Sequence, residues 1–378
     1  MLHGKLVSRG RLAAAALITT VTFAAACAPP PPPLTPQQQV DTIIDYVEAV
    51  RGHSFITRPD VEFVPDALFQ QHVVDSLTGA QAGLDVDEVA FKALGWMKPG
   101  DDLYDKYRTA FGGSVVGFYD PVSKVLEVRG SELTPYRREV VAHELTHALD
   151  DQLFDLNESY GDGVLNEQQI GFLVGVEGSA VRVQRSYVAS VMTPLEQVQN
   201  VLEQLSFQID PEIYSVPIAL LSLSQTPYLQ GPEFVGGLGG NAGIDAMFSR
   251  YPTTAEQAWD PAKYLANEPA EAVAVPPADG TVVTSGTWGQ FLTTLILANG
   301  ISLDAKLNPV TDGWAGDAFV TWTAPGESCI RIDTRSDTAA QATALHSALS
   351  TWSAGQPDAS VASTDATTTR LSACVPTP

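Results

Sequence analysis

The sequence of 378 residues has few histidines, few cysteines and few basic side chains. It contains 6 histidines, 3 cysteines, and 21 Lys and Arg residues against 44 Asp and Glu residues, which gives a formal net charge of −23 at pH 7. A protein this acidic repels phosphate groups. We therefore expect no nucleic-acid partner and no contact between the domain surface and an anionic membrane.

Long apolar runs are also scarce, and the clearest one extends from Leu12 to Ala26. Basic residues precede it and residues 1–26 contain no acidic residue, which is typical of a secretory signal peptide. The run is too short for a lasting transmembrane helix. It ends in three alanines before Cys27, and this pattern resembles a bacterial lipoprotein cleavage site with Cys27 as the lipidated N-terminus. Plain cleavage before or near Cys27 is the alternative.

Five consecutive prolines, Pro29–Pro33, follow this cysteine. Such a run favours polyproline II, so residues 27–35 are interpreted as a lipidated cysteine and a semi-rigid tether, with a disordered leader as the alternative. Without residues 1–26 the chain keeps 18 basic and 44 acidic residues, a net charge of −26. We expect a domain held at the extracytoplasmic face of the cell membrane by a lipid anchor.

The two remaining cysteines are Cys329 and Cys374. Cysteine pairs in exported proteins usually form disulfides, so we predict a Cys329–Cys374 bond that closes the C-terminal region. Two free thiols are the alternative.

The segment from Glu139 to Asp151 contains the pattern His-Glu-x-x-His and has apolar residues at helical spacing. On a helix, His143 and His147 leave the same face one turn apart, which suits two ligands of one zinc ion. Glu144 lies beside them, where its carboxylate can take a proton from water. The alternative is a helix with two incidental histidines.

Catalytic zinc requires three protein ligands and leaves one position for water. The histidine that follows some such motifs six residues later is absent, since that position holds Leu153. A second helix over residues 168–182 offers Glu177, which falls within a mostly apolar face where an unpaired carboxylate costs several kcal/mol. The alternative is a Glu177 at the edge of this face, neutral or paired with Arg182 or Arg185.

The segment His-Glu-Leu-Thr-His-Ala-Leu-Asp-Asp-Gln, followed by Val-Glu-Gly-Ser-Ala at 176–180, resembles gluzincin-type zinc metallopeptidases, and more closely their bacterial extracytoplasmic members. The resemblance covers roughly residues 100 to 335. It implies a zincin-like fold, with His143, His147 and Glu177 as zinc ligands and Glu144 as general base. Further similar segments are Pro227–Gly231, Phe234–Val235, Thr254–Gln257, Pro261–Tyr264 and Gly313–Asp317.

Two residues depart from the pattern of that family. Ser179 stands where an Asp usually follows Glu-Gly, and Ala318 follows Gly-Asp where an Arg is expected. If the usual Asp orients a ligand or balances charge, Ser179 weakens the inference of full activity. Neither departure alters the ligand set.

Periodicity and turn residues predict the surrounding elements. Thr134 and Pro135 predict the start of the helix that carries the His-Glu-x-x-His pattern. The other predicted elements are an amphipathic helix over 36–51, mostly helix over 60–112, a hairpin of strands 114–119 and 124–129, a loop over 153–165, a helix over about 195–206, a cleft-lining stretch over 209–235, a connecting stretch over 267–286, a helix near 288–299, and a β-β-α-β unit over 318–323, 328–333, 337–352 and 367–375.

The fold class predicted from these elements is α+β. A zincin-like, mostly helical metallopeptidase domain is expected over residues 36–266, with a small C-terminal α+β module over residues 267–378 packed on it. Asp150 or Asp151 is expected to orient a ligand histidine, Asp151 being better placed one turn past His147, unless it is an ordinary solvated carboxylate. Four residues are candidate donors to an oxyanion: Tyr187, Tyr228, Arg250 and His346.

The function expected from the sequence is that of a membrane-anchored, extracytoplasmic zinc metallopeptidase that cleaves a peptide or protein substrate. One alternative is a catalytically weak or inactive zincin-fold lipoprotein that serves as a binding or assembly module. Another is the substrate-binding lipoprotein of a transporter, which would have no use for His143 and His147.

Overall fold

The described part of this computed structural model comprises residues 34–113, 115–157, 163–208, 211–302 and 304–377. The predicted signal peptide, Cys27 and most of the tether lie outside it. The helices are α1 Pro36–Arg51, α2 Asp66–Ser76, α3 Gln81–Ala93, α4 Leu103–Gly112, α5 Pro135–Phe154, α6 Glu167–Val191, α7 Pro194–Gln208, α8 Ile218–Gly236, α9 Asn241–Met247, α10 Ala255–Trp259, α11 Pro261–Ala266, α12 Gln290–Leu297 and α13 Ala339–Ser353. The strands are β1 Val61–Val64, β2 Gly117–Asp120, β3 Val125–Arg129, β4 Thr281–Gly286, β5 Trp314–Ala324, β6 Glu327–Ser336, β7 Ala359–Ser363 and β8 Thr368–Pro376.

The mixture of helices and two sheets makes the protein an α+β fold, as the sequence predicts. No helix among the described residues is long and apolar enough to span a membrane. One apolar core includes Phe91 and Val174 together with Trp288 and Ile330, so residues from both sides of position 266 pack together. Residues 36–378 form one compact unit.

A three-stranded sheet lies beside α5. Its order is β1-β3-β2, with β1 parallel and β2 antiparallel to β3, so the predicted hairpin is confirmed. The predicted amphipathic helix is also confirmed as α1, which packs on α5 through Val40, Ile44 and Val47. The mostly helical prediction for residues 60–112 misses β1, because a four-residue strand whose partner lies 65 positions later has little local signal.

The two long central helices begin close to the positions that the sequence predicts. Thr134 Oγ1 accepts a hydrogen bond from the Arg137 N–H at 3.3 Å, and Pro135 is the first residue of α5. Asn166 Oδ1 caps α6 by accepting from the N–H groups of the next turn. Both helices therefore begin at a side-chain cap.

Helix α8 was predicted only as a proline-containing stretch that lines the cleft. It does line the cleft, but residues 218–236 are helical although Pro227 and Pro232 lie inside them. The cause is tertiary packing: α8 and α6 approach so closely that a Cβ at Gly178 would lie 2.4 Å from the Gly231 carbonyl oxygen. Contacts of this density outweigh the local cost of proline.

The C-terminal region contains an antiparallel five-stranded sheet of order β4-β5-β6-β8-β7, with α13 packed against it. The predicted β-β-α-β elements are present as β5, β6, α13 and β8. Cys329 and Cys374 are directly opposed on β6 and β8 and form the predicted disulfide. The prediction misses the outer strands β4 and β7, because their largely exposed residues lack a clear apolar alternation.

Glu167, the first residue of α6, is buried among other acidic groups. Its Oε1 accepts a hydrogen bond from the Ala255 N–H at 2.6 Å, whereas its Oε2 has no hydrogen-bond partner. Burial, which the Ala255 bond only partly offsets, raises the pKa of Glu167 to about 8, and the carboxylates of Asp317 and Glu256 add to this rise. Folding therefore favours the protonated carboxyl.

The first prediction concerns the contact between α6 and α8. We expect Gly178→Ala to lower the free energy of unfolding by about 1–3 kcal/mol, because the new methyl group meets backbone that cannot move aside. Gly236→Ala at the end of α8 is the matched control, since a Cβ there has no atom within 4 Å. Urea unfolding followed by circular dichroism measures both. Equal midpoints for the two variants would contradict the close contact.

The second prediction concerns pH. Because the pKa of Glu167 is raised on folding, its stabilising contribution is complete below about pH 4 and is lost as the pH rises through about 8. We expect Glu167→Gln to remove this loss, so that the melting temperature of the wild type falls more than that of the variant between pH 5 and pH 9. The exposed Glu62→Gln serves as the control, and parallel curves for wild type and Glu167→Gln would refute the assignment.

Candidate metal centre

Helices α5 and α6 bring three ligand atoms together. His143 Nε2 lies 2.9 Å from His147 Nε2 and 3.1 Å from Glu177 Oε2, and His147 Nε2 lies 3.5 Å from Glu177 Oε2. Ligand atoms at about 2.0–2.1 Å from one tetrahedral ion are themselves about 3.3–3.4 Å apart. The three side chains are only 8%, 12% and 13% exposed. The predicted ligand set thus converges at one place.

The tautomer of His143 suits a metal ligand. Its Nδ1 lies 2.8 Å from Gln184 Oε1, and the Nε2 group of the same amide donates to Glu139. Because the Glu139 carboxylate fixes which end of the amide is the donor, Gln184 Oε1 accepts from the Nδ1–H of His143. The Nε2 lone pair of His143 is therefore directed at the centre.

Charge at the centre also favours a cation. Glu177 Oε2 is buried, faces both imidazoles and has no hydrogen bond of acceptable geometry. Burial alone raises the pKa of Glu177, but the imidazoles beside it lower that pKa well below its usual range, so the group is a carboxylate. Burial lowers the pKa of His147, yet Glu177, Glu144 and Asp150 outweigh this and raise it to about 9. These residues fit a divalent ion such as zinc.

Glu144 lies next to these ligands and is held by the edge strand β2. Its Oε2 accepts a hydrogen bond from the Tyr119 N–H at 2.9 Å. Burial raises the pKa of Glu144, and the two imidazoles oppose that rise. A carboxylate whose pKa is shifted toward neutrality is suited to accept and return a proton.

Asp151 does not orient a histidine, so the choice of that residue was wrong. Its carboxylate is buried and accepts from Tyr119 Oη at 2.6 Å and from Lys124 Nζ at 2.7 Å. Tyr119 is thereby attached to α5 at both its N–H and its hydroxyl. The residue that orients His143 is Gln184, which sequence reasoning missed. Its spacing of two helical turns from Glu177 was the available signal.

Asp150 belongs to a buried ionic network. It pairs with the fully buried Arg51 at 2.7 Å and accepts a hydrogen bond from Ser179 Oγ at 2.6 Å. Arg51 also contacts Asp245 at 2.9 Å. An aspartate in place of Ser179 would add a second carboxylate beside Asp150, whereas the serine supplies a neutral donor. Asp150 thus influences His147 through its charge, and no hydrogen bond between the two is found among the described residues.

Of the four candidate oxyanion donors, Tyr228 alone lines the cleft. Its ring stacks on His143 with centroids 5.9 Å apart, and the charge of the nearby Glu177 carboxylate raises the pKa of its hydroxyl well above the usual value. Tyr187 packs on Tyr46 with ring centroids 5.3 Å apart. The other two are bound elsewhere: Arg250 donates to the Tyr264 carbonyl oxygen and His346 lies beside Ser350 on α13.

Contacts also bear on the alternative pairing of Glu177 with Arg182 and on the segment around Asp317. Arg182 donates to Asn241 and has no ion pair with Glu177 among the described contacts. Asp317 accepts hydrogen bonds from the N–H groups of Trp288 and Gly289, both at 2.8 Å, within the C-terminal region. Ala318, which follows it, is buried in β5 and does not line the cleft.

The cleft above the ligands has a volume of about 970 Å³. Its walls are mainly apolar and come from α4, β2, α5, α6, α7 and α8. Strand β2 pairs only with β3 among the described strands, and its residues Gly117–Tyr119 line the cleft. Apolar and aromatic lining residues include Phe111, Phe118, Phe172, Leu173, Val176 and Leu221.

Comparison with known proteins gives one match. Residues 239–374 match a family described as a domain of unknown function (DUF8575). No curated protein and no solved structure matches the chain significantly. The matched segment lies C-terminal to His143, Glu144, His147 and Glu177, so the match does not assign a role to these residues.

The third prediction tests the role of Gln184. We expect Gln184→Leu to lower the affinity for zinc about 10–100-fold, because the Nδ1–H of His143 loses its acceptor and the ring its orientation. Competition with a chromophoric chelator measures this affinity. Gln225→Leu, which changes an exposed glutamine of the same cleft, is the control. Unchanged affinity in Gln184→Leu would show that the hydrogen bond has no such role.

Proposed function

We propose that the protein is a zinc-dependent metallopeptidase of zincin-like fold, anchored to the membrane on the extracytoplasmic side. One observation carries the proposal: two imidazole nitrogens and an otherwise unpartnered carboxylate oxygen converge in a buried site beside Glu144. His143, His147 and Glu177 would hold the ion. The resemblance of the His-Glu-Leu-Thr-His segment to gluzincin-type enzymes supports the same assignment.

When bound, zinc supplies Lewis acidity and lowers the pKa of a water molecule toward about 7. Glu144 accepts a proton from the attacking water at a carboxylate oxygen and later delivers it to the amine nitrogen that leaves as the C–N bond breaks. The Tyr119 N–H holds the Glu144 carboxylate in place during both transfers. Tyr228, as the candidate donor within the cleft, is assigned to the developing negative charge on the carbonyl oxygen.

The shape of the cleft supports an extended peptide as substrate. One edge of β2 has no partner strand among the described residues and lies along the cleft, where a peptide can add as a further strand. The apolar walls favour peptides with large apolar side chains. The negative charge of the protein gives no affinity for nucleic acid.

A second function is a binding or assembly module that keeps the zinc fold without efficient catalysis. The reason to consider it is that Ser179 and Ala318 differ from the residues usual in gluzincin-type enzymes. Neither residue lines the cleft, and Ser179 completes the hydrogen bonding of Asp150. The departures therefore give little reason to expect inactivity. A transporter's binding lipoprotein, the third possibility, predicts that the purified protein holds no stoichiometric metal.

The fourth prediction concerns Glu144. We expect Glu144→Gln to retain one equivalent of zinc and to lose at least about 100-fold in kcat/KM, because the amide cannot accept the proton of water. Turnover of an unfolded, fluorescently labelled protein and metal analysis of the same samples measure the two properties. Glu132→Gln, an exposed site before α5, is the control.

Three outcomes separate the possible functions. Full turnover in Glu144→Gln would exclude the proposed mechanism. One equivalent of zinc in the wild type without any cleavage would favour the binding module. Absence of stoichiometric zinc would exclude the metallopeptidase and the zinc-containing binding module, and would favour the binding lipoprotein of a transporter.

A further inference from the structure

Helix α7 has its apolar side turned outward. Five aliphatic side chains expose between 48% and 67% of their surface. At 100° per residue they all fall within about a third of the helix circumference, so they form one stripe. This α7 stripe consists of Leu195, Val198, Val201, Leu202 and Leu205.

The opposite, polar side of α7 is fixed to the protein. Glu196 pairs with Arg138 of α5, and Asn200 donates to Glu139. Gln197 Nε2 donates to the carbonyl oxygens of Val188 and Met192 at 3.2 Å. Because these contacts hold the helix in one orientation, the α7 stripe cannot turn inward without breaking them.

The size and charge of the α7 stripe indicate its partner. Five half-exposed aliphatic side chains amount to an area on the order of 500 Å², at the upper end of what a monomer usually exposes. A stable dimer buries about 800 Å² on each partner, so a second copy is less well matched. None of the five side chains carries charge, which suits the apolar boundary of a lipid layer.

The first residues of α7, with Leu195 of the stripe, lie at the end of the domain where α1 begins. Tyr46 Oη bonds to Ser186 Oγ at 2.7 Å, whereas Arg51, further along α1, lies near Arg182 of α6. The two helices are therefore antiparallel, and α1 begins where α6 ends and α7 starts. Val40 and Met192 accordingly share one buried cluster.

Chain length limits the distance between this end of the domain and the membrane. Eight residues lie between Cys27 and Pro36, so the nine Cα–Cα steps can span at most about 30 Å. A lipid on Cys27 would hold the start of α1 within that distance of the lipid surface.

We propose that the α7 stripe inserts into the interface of the membrane that carries the anchor. This inference rests on the anchoring half of the proposed function and not on peptidase activity. We expect this membrane interface to be zwitterionic, because the protein without residues 1–26 has a net charge of −26 and is repelled by anionic headgroups. Gln204 and Phe207 of α7 also line the cleft, so the docked enzyme would receive peptides close to the lipid surface.

Vesicle flotation tests the proposal. Residues 34–378, which contain the whole compact unit and lack Cys27, are mixed with phosphatidylcholine vesicles. We expect binding that the double variant Leu195→Ser/Leu202→Ser lowers at least tenfold. The control Leu68→Ser/Leu265→Ser changes two leucines that are 50% and 59% exposed on α2 and α11 and should leave binding unchanged. Adding phosphatidylglycerol should weaken binding.

Two results would overturn the proposal. One is wild-type protein that stays unbound or loses binding equally in both double variants. The other is a wild-type dimer in sedimentation that Leu195→Ser/Leu202→Ser dissociates, which would assign the α7 stripe to a second copy. Zinc content and turnover on a soluble unfolded protein, measured on the same samples, report folding and the proposed peptidase function separately from vesicle binding.

Discussion

A buried hydrogen bond beside the ligands joins the two helices on which the candidate centre depends. Ser179 Oγ donates to Asp150 Oδ2 at 2.6 Å, two residues after Glu177 on α6 and three residues after His147 on α5. The Arg51 guanidinium compensates the buried carboxylate, so this link is retained without an unpaired charge. The close contact at Gly178 holds α6 from its other side. Together they fix the spacing at which Glu177 reaches both histidines.

The requirement to hold the ligands in place also explains why the apolar side of α7 faces outward. Glu139 lies one helical turn before His143 and needs partners that are themselves fixed, because it determines the orientation of Gln184. Asn200 of α7 supplies one of those partners. Because the polar side of α7 faces Glu139 and the candidate centre, its apolar side faces outward. The outward α7 stripe is thus a consequence of how His143 is held, and the membrane contact that we propose would make use of it.

The sequence was most informative where local spacing determines geometry. His143, Glu144 and His147 follow from helical periodicity, and Glu177 was found as a carboxylate on an apolar face. The disulfide followed from cysteine count and compartment. The sequence was uninformative where a partner lies far along the chain. Strand β1 forms only by pairing with β3, and α8 packs closely against Gly178 of α6. Gln184 is oriented by its hydrogen bond to Glu139. Each of these pairings joins residues that lie 45 or more positions apart in the sequence.

The C-terminal region contributes to the centre although its own residues do not line it. Glu167 begins the helix that carries Glu177, and it accepts a hydrogen bond from the Ala255 N–H at the start of α10. A Cβ at Gly289, which precedes α12, would lie 2.1 Å from the Glu167 carboxylate. Asp317 of β5 in turn holds the Gly289 N–H at 2.8 Å. The segment that matches the family of unknown function therefore positions the start of the ligand helix, and removing it would release Glu177 from one end of its support.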